Sequence, residues 1–176
     1  MERRRRTPIS EECKYTINRL VAYQLHISDV YLSMACYFVD EKGMPPFVMF
    51  FEEEAEIRRQ QAKYFLRFLR KREAMICLPV IKRPDIDNWG GAIQALTSAL
   101  QMENILNGIL EDLNTLASET GETELRPFLT EFLDKQKRNI DYLECQISYQ
   151  NKLEEGKQME SMSEMSAKTS ASGEET

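Results

Sequence analysis

The chain has 176 residues, 42% of them hydrophobic and 30% charged, which is enough to bury a single core without help from disulfides. A net charge of −6 and a pI near 5.0 leave the molecule as a whole without a nucleic-acid footprint, and no run approaches the eighteen apolar residues that would cross a membrane. Cys13, Cys36, Cys77 and Cys145 are scattered without a CxxC pair and His26 is the sole histidine, so neither a zinc site nor a disulfide framework is indicated, and a reducing, cytoplasmic setting is expected.

The opening MERRRRTP lacks the apolar stretch of a secretory signal. Residues 1–9 read as a disordered basic arm around Arg3 to Arg6, with a nuclear-import or polyanion-binding role as the alternative. Helical patterning begins at Ser10, an N-cap residue followed by Glu11 and Glu12, which suit the positive end of the macrodipole. Ile17, Val21, Gln24, Ser28, Tyr31, Ala35 and Phe38 then recur at steps of three and four, so Gln24 points inward. The pattern stops at Asp40-Glu41-Lys42-Gly43, and Pro45-Pro46 restarts it.

The second predicted helix, to about Lys71, has an inward stripe of Phe47, Phe50, Glu54, Arg58, Gln61, Phe65, Phe68 and Leu69, aromatic at both ends and polar in the middle. A second row, Glu53, Glu56 and Gln60, lies beside it and reads equally as a solvated face or as a cation-binding patch.

Leu78 to Gly91, LPVIKRPDIDNWGG, stops the helix and resists starting another, and Pro79 and Pro84 bias it towards extended geometry. Its fourteen residues reach roughly 46 Å when nearly extended. A helix of about 28 residues is ~42 Å long. The segment therefore spans such a helix end to end and leaves the second and third helices parallel. The expected fold is an all-α four-helix bundle with one long crossover.

The third helix has the cleanest period, Ala92, Leu96, Ala99, Glu103, Leu106, Leu110, Leu113 and Ala117, interrupted by one acid. A carboxylate in that row must be paired, metal-bound or protonated, because an isolated buried charge is too costly. After the turn at Glu119-Thr120-Gly121-Glu122, the fourth helix carries Leu125, Leu129, Leu133, Gln136, Ile140, Leu143 and Ile147. The bundle domain is placed at residues 10–151. From Lys152 the apolar period vanishes, and residues 152–176, rich in Ser, Glu and Met, are expected to be disordered.

By layer, Gln24, Tyr31, Arg58, Gln61, Glu103 and Gln136 form one polar set at the bundle centre. A di-iron bundle needs a Glu from each of two helices and Glu-x-x-His from the others, since hard iron takes carboxylate oxygens and a nitrogen. Here the i, i+3 slot on the second helix holds Arg58 and Gln61, and Glu103 is the one anionic ligand in the set.

The chain resembles a ferritin subunit of the animal heavy/light type through INR at Ile17 to Arg19, VYLSM at Val30 to Met34, IKRPDIDNW at Ile81 to Trp89 and ALxxE at Ala99 to Glu103. The resemblance covers roughly Glu11 to Asn151 and implies a ferritin-like bundle that handles Fe2+ and Fe3+. In heavy chains, which oxidise ferrous iron, the matching motif has Glu where this chain has Gln24, Glu-x-x-His at Arg58 and Gln61, and Glu and Gln at Glu103 and Gln136. The ferroxidase site is thus degenerate at Gln24, Arg58 and Gln61, with Glu103 and Gln136 as residual ligands, and the activity is expected to be lost.

In light chains a basic residue fills the site against the remaining Glu, which implies a buried Arg58–Glu103 ion pair. The light-chain patch that nucleates ferric mineral is matched by Glu53 and Glu56, but not by Ile57 or Gln60. Acidic residues of the family's threefold channels fall at Pro127 and Thr130, and the polar tail replaces the fifth helix. The expected role is a structural or mineral-nucleating subunit, with iron bound weakly or only as mineral, in homo- or hetero-oligomers with other ferritin subunits up to a 24-subunit shell. An iron-independent helical interaction protein and a weakly active ferroxidase are the alternatives.

Overall fold

The computed structural model describes residues 7–39, 46–84 and 88–172. The Arg3 to Arg6 block and residues 40–45, where the first helical pattern is expected to stop and the second to restart, lie outside them. Four helices follow one another: α1 Glu11–Phe38, α2 Phe47–Lys71, α3 Ala92–Glu119 and α4 Arg126–Ala171. Among the described residues there is no strand and no fifth helix, and no helix is long and apolar enough to cross a membrane.

Side-chain pairings fix the topology. Phe38 meets Phe47 while Ser28 donates to the Ala55 carbonyl, so α1 and α2 are antiparallel. Arg58 reaches Glu103 and Arg72 reaches Glu122, so α2 and α3 run parallel. Glu54 with Asn139 and Phe65 with Phe132 set α4 antiparallel to α2. Parallel α2 and α3 require a connection as long as a helix, and the segment between them provides it; its described residues, 74–84 and 88–90, have no regular structure, and residues 85–87 lie outside the described ones.

That crossover is fastened to α1 along its length. Asn18 donates to the Met75 carbonyl and accepts from the Cys77 amide at 2.8 Å, so one side chain satisfies two backbone groups of the strap. Further on, Arg83 pairs with Asp29 at 2.8 Å, and the buried Trp89 donates to Ser33.

Caps account for the helix boundaries. The Ser10 hydroxyl accepts from the Cys13 amide, which satisfies one orphan donor of α1. α2 ends in a left-handed residue, Glu73 at φ 55°, with Ala74 N–H bonded to the Leu69 carbonyl and Glu73 N–H to that of Arg70. α3 ends in the same way, with Glu122 N–H bonded to the Ala117 carbonyl, but there the left-handed residue is Gly121. Pro127 sits in the first turn of α4, where a missing N–H costs little.

The core is the merged set of inward stripes. Every α1 stripe residue from Ile17 to Phe38 is buried, as are Leu96, Ala99, Leu106, Leu110, Leu113 and Ala117 of α3. Phe38, Phe47, Phe50, Phe51 and Tyr142 close one end of the bundle, and Tyr64, Phe65, Phe128 and Phe132 bridge α2 to α4 at the other. Polar residues lie in the layer between these two aromatic plugs.

One expectation is corrected at the C-terminal end. Residues 152–171 are not disordered but continue α4 without a break, exposed throughout. Loss of the apolar period ends burial there, not helicity. Lys, Glu, Gln, Met and Ala are strong helix formers, and extending an existing helix carries no nucleation cost.

Candidate functional site

Each helix sends polar side chains into the central layer. α1 supplies Gln24 and Tyr31, α2 supplies Glu54, Arg58 and Gln61 on successive turns, α3 supplies Glu103, and α4 supplies Gln136 and, one turn later, Asn139. Arg58 is the hub. Its Nη2 lies 2.8 Å from both Glu103 carboxylate oxygens, its Nη1 donates to Gln136 Oε1 at 2.8 Å, and its Nε is 3.3 Å from Glu54 Oε2. The guanidinium is 2% exposed and Glu103 is fully buried, so this is an ion pair removed from water.

Glu103 is saturated. Tyr31 donates to its Oε1 at 2.5 Å, and Gln136 Nε2 donates to its Oε2 and to its backbone carbonyl. Burial, together with the adjoining Glu103 charge, holds the Tyr31 phenol well above its ordinary pKa, so it remains a donor. Burial opposes the charge on Arg58, but the Glu103 and Glu54 carboxylates outweigh it and raise the guanidinium above its usual value. Burial raises the Glu54 carboxyl, and Arg58, pulling the other way, does not fully offset it.

Gln24 and Gln61 pair across α1 and α2. Gln24 Nε2 donates to Gln61 Oε1 at 3.1 Å, while Gln24 Oε1 is buried with no hydrogen-bond partner among the described residues. The structure therefore brings Gln24, Tyr31, Arg58, Gln61, Glu103 and Gln136 into one layer. It adds two residues to that set. Glu54 lies on the α2 stripe but was not counted as central, and Asn139, which donates to Glu54 Oε2 at 3.0 Å, lies off the α4 stripe altogether. The signal for Asn139 was its position three residues after Gln136, which places it on the adjoining helix face.

Glu53 and Glu56 are separate from this layer. Both are exposed on the outer side of α2, where Gln60 donates to Glu56 at 2.8 Å and Ile57 is 39% exposed. His26 is half-buried against Tyr23, away from the centre; burial and Arg83 depress its pKa, against the opposing pull of Asp29. Among the described residues no three His, Cys, Asp or Glu side chains are grouped to hold a metal ion.

Chemically the layer is a network centred on one cation. Two carboxylates share one guanidinium, and the Gln136 and Asn139 amides and the Tyr31 phenol bond to them, while Gln24 Oε1 and Arg58 Nε have no hydrogen-bond partner among the described residues. A four-helix bundle with one long crossover and a polar layer between aromatic plugs has the architecture of ferritin-like proteins.

The chain belongs to the ferritin family, as a divergent subunit of the animal type: the family model for the ferritin-like domain matches residues 15–153. It is 36% identical to a ferritin middle subunit of Salmo salar over 156 residues, which cover 88% of this chain and 89% of that one. It is also 36% identical to the soma ferritin of Lymnaea stagnalis over 139 residues, 78% and 80% of the two chains. A ferritin middle subunit of Aquarana catesbeiana is 33% identical over 131 residues, 73% and 74% of the two chains.

Proposed function

We propose that this chain is an iron-storage cage subunit that has no working ferroxidase centre and serves in a shell with other ferritin chains. The observation that carries this reading is the buried Arg58 guanidinium, forked onto Glu103 and bonded to Gln136. By resemblance, Glu103 and Gln136 are what remains of the ligand set, and both are already engaged. A cation entering the layer would meet a fixed positive charge and would have to displace a desolvated ion pair. Gln24 and Gln61 offer neutral amides where ferrous iron, a borderline cation, favours carboxylate oxygens and imidazole nitrogen.

The test is ferrous oxidation followed under oxygen at neutral pH. A rate indistinguishable from the buffer control is expected. A rate well above it, abolished by Glu103→Ala, would overturn the reading. Size-exclusion chromatography with light scattering, on the chain alone and after co-expression with an active ferritin chain, tests the cage role. A shell of either kind supports it, and a persistent monomer in both favours an iron-independent interaction protein.

A further inference from the structure

The last five turns of α4 bury nothing, yet they carry a concentrated chemistry. Three of the nine methionines in the chain, Met159, Met162 and Met165, fall within one seven-residue stretch, MESMSEM. They are 74%, 71% and 68% exposed, so none of them fills a core. The spacing i, i+3, i+6 on an α-helix places each thioether on the turn next to the last, about 4.5 Å further along the axis and roughly 60° around it. Neighbours at i, i+3 share a face, and an unbranched side chain with three rotatable bonds can swing its sulfur towards the adjacent turn. Met162 can thus meet either neighbour, whereas Met159 and Met165 meet only through it.

We propose that Met159, Met162 and Met165 form a thioether site for a soft monovalent cation of the copper(I) class on the exposed end of α4. Thioether sulfur is a soft donor that selects Cu(I) over borderline Fe2+ and over hard Mg2+ or Ca2+. The site is therefore independent of any iron chemistry in the bundle centre, and its failure would leave the storage role untouched. Thioethers also carry no proton to lose. Binding at this site is flat with pH, unlike binding to the exposed thiols Cys36, Cys77 and Cys145, which must first be deprotonated.

The experiment titrates the full chain, labelled with 13C at the methionine methyl groups, with Ag(I), a redox-inert ion of the same soft class. It is run on the Cys36→Ser/Cys77→Ser/Cys145→Ser variant at pH 5 and at pH 7, since Ag(I) displaces the proton of an exposed thiol even in mild acid and the three cysteines would otherwise take the ion first. The expected result is a joint shift of the Met159, Met162 and Met165 methyl signals that saturates at one ion, with buried Met34 and Met102 unmoved. Leu matches Met in helix propensity, so Met162→Leu should weaken binding by about tenfold or more, because it removes the ligand that keeps the other two at high effective concentration. Met159→Leu, which leaves an adjacent pair, should weaken it less. Three unshifted signals, or three independent shifts indifferent to Met162→Leu, would overturn the proposal; the three replaced cysteines are exposed, so the Ser variant keeps the core intact.

Discussion

At the residue scale the decisive feature is a shared cation. Arg58 stands between two buried carboxylates, so removing it strands both Glu54 and Glu103, whereas removing Glu103 leaves the guanidinium with Glu54 and Gln136. Breaking a buried ion pair by deleting one partner costs about 3–5 kcal/mol. Arg58→Met should therefore destabilise more than Glu103→Gln, and the double change should recover a large part of the loss. A double-mutant cycle in denaturant measures the coupling, and additive losses would mean that the two residues do not share an energy term. Glu54 supplies a separate, pH-dependent test. Its folded pKa lies above the unfolded one, so its contribution to stability is complete below the unfolded value and is lost as pH rises through the folded value. Relative to Glu54→Gln, the wild type should lose stability between about pH 4 and the raised Glu54 pKa. Unfolding curves across that interval check the sign, and a constant difference would show that Glu54 is not perturbed. Stripe periodicity made Gln24, Arg58, Glu103 and Gln136 legible in the sequence, since each interrupts an apolar row. The tie from Asn139 to Glu54 was not legible, because an amide on an intermediate face looks like any solvated polar residue until the neighbouring helix is in place.

At the scale of elements, the crossover was readable because prolines and glycines act locally, and its length alone decides whether α2 and α3 run parallel. Helix ends are less readable. Gly121 advertises the left-handed residue that closes α3, while Glu73 fills the same role at the end of α2 with a side chain that disfavours it. The left-handed conformation costs an ordinary residue roughly 1–2 kcal/mol, of which the greater unfolded-state freedom of glycine returns a part. Glu73 is exposed, so Glu73→Gly should stabilise the fold by about 0.5–1 kcal/mol and raise Tm by roughly 2 °C. An unchanged or lower Tm would mean that the α2 terminus is held by the strap contacts of Asn18 and not by its cap. The C-terminal end of α4 was misread for a related reason. Apolar periodicity reports burial, and residues 152–171 form a helix that has no burial to report.

At the scale of the whole molecule, the proposed role makes the chain dependent on partner chains for ferric iron and leaves it to add what its surfaces offer the mineral. Glu53 and Glu56 are exposed on α2, where Ile57 is 39% exposed and the Gln60 amide donates to Glu56; on the proposed reading they are half of a mineral-nucleating patch. Clustered carboxylates concentrate a hard trivalent cation, and a half-patch does so more weakly than a full one. Their removal leaves the bundle centre untouched, because neither residue reaches Arg58 or Glu103. In cages formed with an active ferritin chain, Glu53→Ala/Glu56→Ala should therefore slow growth of the ferric core without changing the initial rate of ferrous oxidation. Iron-loading curves that separate the oxidation phase from the core-growth phase make the distinction, and equal core growth in the two cages would mean that this acidic face is only solvated.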